Sequence, residues 1–130
     1  VKIKSGRMLL AYGFLRKVFE IFEIYKTPID MITTSEVAIS LTIDDDTHLS
    51  EIESELLKFG IVEIDQDQSI ICIVGDFISE SAGSAKKVLE ALESIPLRMI
   101  SYGGSKHNIS VLVDQKNKVA ALQALSSHLF

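Results

Sequence analysis

Apolar and polar positions alternate at the start of the chain, where Val1-Lys2-Ile3-Lys4 reads as a short half-buried strand. After Ser5–Gly6 the period lengthens. Leu15, Val18, Phe19, Phe22 and Tyr25 fall on one stripe, which predicts a helix from about Gly13 to Tyr25. Thr27–Pro28 ends it, because the residue before a proline is pushed out of the helical region. Two β-branched runs, 29–33 and 36–43, predict strands around a short polar turn. The acidic run Asp44-Asp45-Asp46-Thr47 supplies N-cap candidates for a second helix, with Leu49, Ile52, Leu56 and Leu57 as its apolar face and Gly60 as its C-cap. Ile61 to Ile64 predicts another strand. Residues 1–66 therefore spell β-α-β-β-α-β, an antiparallel sheet with helices on one face.

The same grammar then recurs. Ser69–Val74 is a strand apolar on both faces, with Ile70, Cys72 and Val74 on one and Ile71 and Ile73 on the other, so a central or covered place is expected. Helices are predicted over 84–92 and 116–129, and strands over 97–101 and 109–113; the order is β-α-β-β-α, one strand short. A shift of 70 residues lays GFLRKVFEIFE on GSAKKVLEALE, so that Gly13 meets Gly83 and Val18 meets Val88. With two residues fewer before the second proline, Pro28 meets Pro96 and Met31-Ile32 meets Met99-Ile100. A period of this length marks two copies of one supersecondary module. The expected fold is α+β: two ferredoxin-like modules in tandem, 1–66 and 67–130, the second with an incomplete sheet.

Composition narrows the functions. A net charge of −5 and a pI near 5.1 disfavour nucleic acid, whose recognition leans on clustered Lys and Arg. No apolar run approaches the roughly 18 residues of a membrane span. The single Cys72 excludes an internal disulfide and suits a reducing, cytoplasmic setting. Mean hydropathy of +0.27 is high for a small chain and points to apolar surface covered by a partner. The chain opens on Val1 inside a strand pattern, so a piece of a longer protein is expected.

Catalytic chemistry finds little support. His48, His107 and His128 are scattered, with no metal-ligand spacing to Cys or carboxylates. Cys72 reads as a small buried thiol within an apolar strand. Tyr102-Gly103-Gly104-Ser105 joins two strands with no helix behind it, which makes it a turn, and the Asp44–Asp46 run lacks the spaced ligands of a calcium loop. Binding is better supported. Met8 to Leu15 is an apolar loop running into a helix start, whose free N–H groups suit a carboxylate. Asp30 and Glu36 flank the polar turn and could neutralise ammonium groups; on pattern alone they read equally well as ordinary exposed acids.

The run MLLAYGFLRKVFEIFEIYKTPIDMITTSEVAISL, residues 8–41, resembles the first regulatory ACT module of lysine-sensitive aspartate kinases. IPLRMISYGGSKHNISVLV at 95–113, with LSSHLF at 125–130, resembles their second ACT module and C-terminal end. The resemblance implies a regulatory region that is not itself catalytic. A kinase domain of the same chain would use ATP and Mg to phosphorylate L-aspartate toward lysine, threonine and methionine. It also implies a homodimer through ACT modules and inhibition by an end-product amino acid, foremost L-lysine, held in the first module. Carried over by position, the effector residues are Met8, Ala11, Phe14, Leu15, Pro28, Ile29, Asp30 and Glu36. This chain departs at Ala11 and Pro28, where the family often has Ser, leaving only backbone groups there. In the family a strand from before the first module completes the second sheet, so Ser69–Val74 should have an unfilled edge. Two other classes compete: a stand-alone ACT-type sensor acting on a separate protein, and a small phosphatase on the same scaffold. The phosphatase lacks a convergent Arg/Asn or His constellation.

Overall fold

Ile3 is the pivot of the first sheet. It is fully buried and pairs with Ile39 on one side and Val62 on the other. The structure, a computed structural model, describes residues 1–4, 13–35, 38–58, 60–75, 83–103 and 108–129. It divides into two compact units, Val1–Asp65 and Gln66–Phe130.

The first unit contains strands β1 (Lys2–Lys4), β2 (Ile32–Thr34), β3 (Ala38–Leu41) and β4 (Ile61–Glu63), with helices α1 (Phe14–Ile24) and α2 (Leu49–Leu56). The sheet order is β2-β3-β1-β4 and every pairing is antiparallel. Alternation puts Ile3, Ile39 and Leu41 on one face, where they form a core with Phe14, Val18, Ile21 and Phe22 of α1 and Ile52 and Leu56 of α2.

The second unit contains β5 (Gln68–Val74), α3 (Ser84–Ala91), β6 (Met99–Tyr102), β7 (Asn108–Asp114) and α4 (Lys118–Leu129), the last entered through a 3-10 turn at Gln115–Asn117. Its order is β5-β7-β6, again antiparallel. Ile71, Ile73, Ile109, Val111 and Val113 meet Val88, Ala91, Leu92, Ala121 and Leu125 in a separate core. The registers repeat across the two units, since Ile3 opposes Ile39 as Ile73 opposes Ile109. Among the described residues, β5 has no neighbour on the side where its counterpart β1 carries β4.

Four expectations need correction. The buried stripe of α1 is Phe14, Val18, Ile21 and Phe22, whereas Leu15 and Phe19 are 40% and 41% exposed. The period was right but the phase lay one residue off. Gly60 does not cap α2, which ends on Leu57 in right-handed geometry; a Cβ at Gly60 would lie 2.9 Å from the Lys4 carbonyl oxygen, so glycine serves a close approach to β1. The acidic run does not cap α2 either. His48 occupies the N-cap without a side-chain bond, and Asp45 closes a turn by accepting the Thr47 N–H at 3.0 Å. Finally, the apolar pattern of β5 does not make it central or covered. Among the described residues it is an edge strand, in line with the unfilled edge that the resemblance implies, and Ile71 and Ile73 feed the core while Cys72 and Val74 are exposed.

Candidate functional site

The start of α1 is set by Gly13, which has φ of 84° and whose carbonyl accepts the Lys17 N–H at 3.0 Å. A left-handed residue there suits glycine, and Gly83 repeats it before α3 with φ of 87°. The next residue, Phe14, drops into the core and fixes the helix start, while Leu15 faces outward. The other end of α1 closes with a paired C-terminal motif. Lys26, at φ of 50°, donates to the Glu23 carbonyl, and Thr27 donates to the Phe22 carbonyl at 2.9 Å. Proline follows at once, so the chain leaves the helix in a fixed direction.

Pro28 is exposed, Ile29 is half-buried against the core, and Asp30 is exposed. This segment was expected to be strand; it runs beside the end of β3 but enters the ladder only at Ile32. Asp30 N–H donates to the Thr42 carbonyl at 2.9 Å, Met31 N–H to the Thr42 hydroxyl at 2.9 Å, and Thr42 N–H to the Met31 carbonyl. The backbone of Asp30 is thereby held while its carboxylate faces water, with no ion pair among the described residues. Met8, Ala11 and Glu36 lie outside the described residues.

The second unit answers with the opposite charge. At the position two residues after its proline stands Arg98, whose N–H donates to the Leu112 carbonyl at 2.8 Å as Asp30 does to Thr42. Its guanidinium lies 3.7 Å from Asp114, which also accepts from Gln68 Nε2 at 2.7 Å. Periodicity could not show that grouping, because its members sit on three different strands or approaches.

The remaining chemistry-bearing residues lie elsewhere. His48 is 3.6 Å from Glu51 and faces the Tyr25 ring at 5.9 Å. His128 Nδ1 is 3.1 Å from the Ala124 carbonyl oxygen, and His107 is outside the described residues. Cys72 was expected to be buried; it is exposed, with Sγ 3.3 Å from the Ser110 hydroxyl, because its strand lies at the sheet edge. The Asp45 carboxyl is held below its ordinary range by the Thr47 hydroxyl, then by the Thr47 N–H, with His48 adding a smaller effect. Among the described residues no group of His, Cys, Asp and Glu could hold a metal ion, and no helix is long and apolar enough to cross a membrane.

A family model described as the ACT domain matches residues 71–129. The chain is 50% identical to a candidate C-terminal regulatory domain of aspartate kinase from Porphyromonas gingivalis W83, covering 99% of this chain and 88% of that one at a TM-score of 0.89. It is 36% identical to Escherichia coli aspartokinase III, solved with lysine and aspartate in the T-state, over 99% of this chain and 30% of that one at a TM-score of 0.87. Lysine-sensitive aspartokinase 3 of Escherichia coli K12 is 35% identical over 136 residues. That alignment covers 98% of this chain, which spans only 30% of the relative's length.

Proposed function

Because the chain belongs to the family of aspartate-kinase regulatory domains built from ACT modules, we propose that its first unit binds an end-product amino acid, L-lysine. Binding there restrains a kinase domain of the same protein from phosphorylating L-aspartate with ATP. The observation that carries the effector reading is the contrast at the two equivalent positions. Asp30 is exposed and backbone-anchored in the first unit, while Arg98 beside Asp114 fills that place in the second. A free carboxylate on an anchored backbone suits an ammonium group, and a charge-assisted hydrogen bond of this kind contributes about 1.5–3 kcal/mol. Glu36 takes a second ammonium, and backbone amides of residues 8–11 and of the α1 start take the carboxylate. Leu15 and Ile29 flank the methylene chain, with Pro28 fixing the approach and Phe14 anchoring the helix beneath.

Two copies of the first unit share the effector, so lysine favours one arrangement of a homodimer. Coupling of about 1–3 kcal/mol is the usual scale for such regulation. The test is calorimetry with L-lysine on the chain, with sedimentation of the same samples. Saturable heat is expected, together with at least about a ten-fold loss of affinity in Asp30→Asn, the scale of one charge-assisted bond. Heat with a different amino acid and none with lysine would reassign the effector. Lysine binding that Asp30→Asn leaves untouched would remove the proposed site.

A further inference from the structure

The face of the first sheet that turns away from α1 and α2 carries a second candidate for ligand chemistry. Ile3 points into the core, so Lys2 and Lys4 stand on the opposite face of β1. Their cross-strand neighbours on β3 are Ser40 and Ala38, and Thr33 of β2 opposes Ser40. The small residues at the centre leave a concavity of about 290 Å³ lined by Lys2, Lys4, Thr33, Thr34, Ser35, Ala38 and Ser40. The chain holds 18 acidic residues against 13 basic ones, yet among the described residues no acid lines this hollow. The nearest acid in register is Glu63, which opposes Lys2 from β4 on the side away from β3. Among the described residues neither lysine is engaged in an ion pair.

The duplicated fold shows that these lysines are not a requirement of the sheet. The matching registers place Cys72 opposite Ser110 as Lys2 stands opposite Ser40, and Val74 opposite Asn108 as Lys4 stands opposite Ala38. Ser101 opposes Ser110 as Thr33 opposes Ser40. The hydroxyl-bearing pair is thus common to both units, and the ammonium pair belongs to the first alone. Two like charges on alternate residues, roughly 7 Å apart by strand geometry, repel one another mildly, and an anion placed between them turns that repulsion into attraction to both.

We infer that this hollow binds a small oxyanion of the phosphate type, with Lys2 and Lys4 as the charged partners and the Thr33 and Ser40 hydroxyls as donors. Its residues share none with the proposed effector set, so the inference stands whether or not lysine binds. A dianion gains from both ammonium groups where a monocarboxylate engages one, and the volume admits a phosphate with a small organic body.

The test is a titration of the isotope-labelled chain with inorganic phosphate, at constant ionic strength against chloride, followed by amide chemical shifts. Saturable shifts are expected at Lys2, Lys4, Thr33 and Ser40, with affinity falling at least about ten-fold in the Lys2→Gln, Lys4→Gln double variant. Ser40→Ala, which leaves both charges in place, should weaken binding less. Glycerol 3-phosphate in a parallel arm distinguishes the two sources of the phosphate group: tighter binding than inorganic phosphate assigns the hollow to an organic monoester, and equal binding assigns it to free phosphate. Shifts reproduced by chloride or matched by acetate, or an affinity unchanged in a folded double variant, would overturn the site.

Discussion

Individual residues show how one chemical type serves different physical ends. Gly13 and Gly60 both sit beside helices, yet only Gly13 needs a positive φ, while Gly60 needs the absence of a Cβ. Gly13→Ala should cost about 1–2 kcal/mol through left-handed strain. Gly60→Ala should cost about 1–3 kcal/mol, because the Lys4 carbonyl must move. Urea unfolding reads both. Asp45 gives a pH effect of known sign. Its folded pKa is lowered, so its contribution to stability is present above the ordinary carboxylate range and is lost as pH falls through the lowered value. In a carboxyl-detected titration, Thr47→Val should move the Asp45 pKa back up, since the leading cause is removed. The sequence showed an acidic run before a helix but left open which acid would do what. A helix start displaced by one or two residues turns a cap into a turn, and three consecutive Asp residues cannot register that difference.

At the scale of elements, periodicity was a good guide to existence and a weaker one to phase. The α1 pattern holds large apolar residues on more than half its circumference, so Phe14/Val18 and Leu15/Phe19 offered rival centres for the buried stripe. Contact with β1 and β3 chose the first pair. In α2 the same ambiguity was smaller, and Ile52 and Leu56 are both fully buried, whereas Leu57 is 53% exposed. Ile52→Ala should therefore cost about 2–5 kcal/mol, through lost burial and an unfilled cavity. Leu57→Ala should stay within about 0.5 kcal/mol. Denaturant midpoints of the two variants check the phase directly. The two-sided apolar pattern of β5 misled for a different reason. Such a pattern reports what covers the faces of a strand and carries no information about its edges.

For the whole molecule, duplication was legible because glycine, proline and methionine recur in order, and the coordinates repeat the same registers and the same left-handed glycine. Divergence between the copies was legible only in part. The Asp30 and Arg98 contrast can be read from aligned prolines, but the pairing of Arg98 with Asp114 depends on strand order. The candidate effector set came from the resemblance and from one loop pattern, and three of its eight members fall outside the described residues. Nothing in the KIK pattern sets the paired lysines of β1 apart from any half-exposed strand; what distinguishes them is the small residues opposite.

The bare side of β5 has a consequence of its own. The Arg98 N–H binds the Leu112 carbonyl, so even-numbered residues of β7 bond toward β6 and odd-numbered ones toward β5. The peptide groups of Ile70, Cys72 and Val74 consequently point away from their own sheet. A strand laid there is joined through its main chain, whatever its side chains are, so selection falls on its length and direction. Such a seam is undemanding about sequence, and by the same token it is open to any extended chain that meets it.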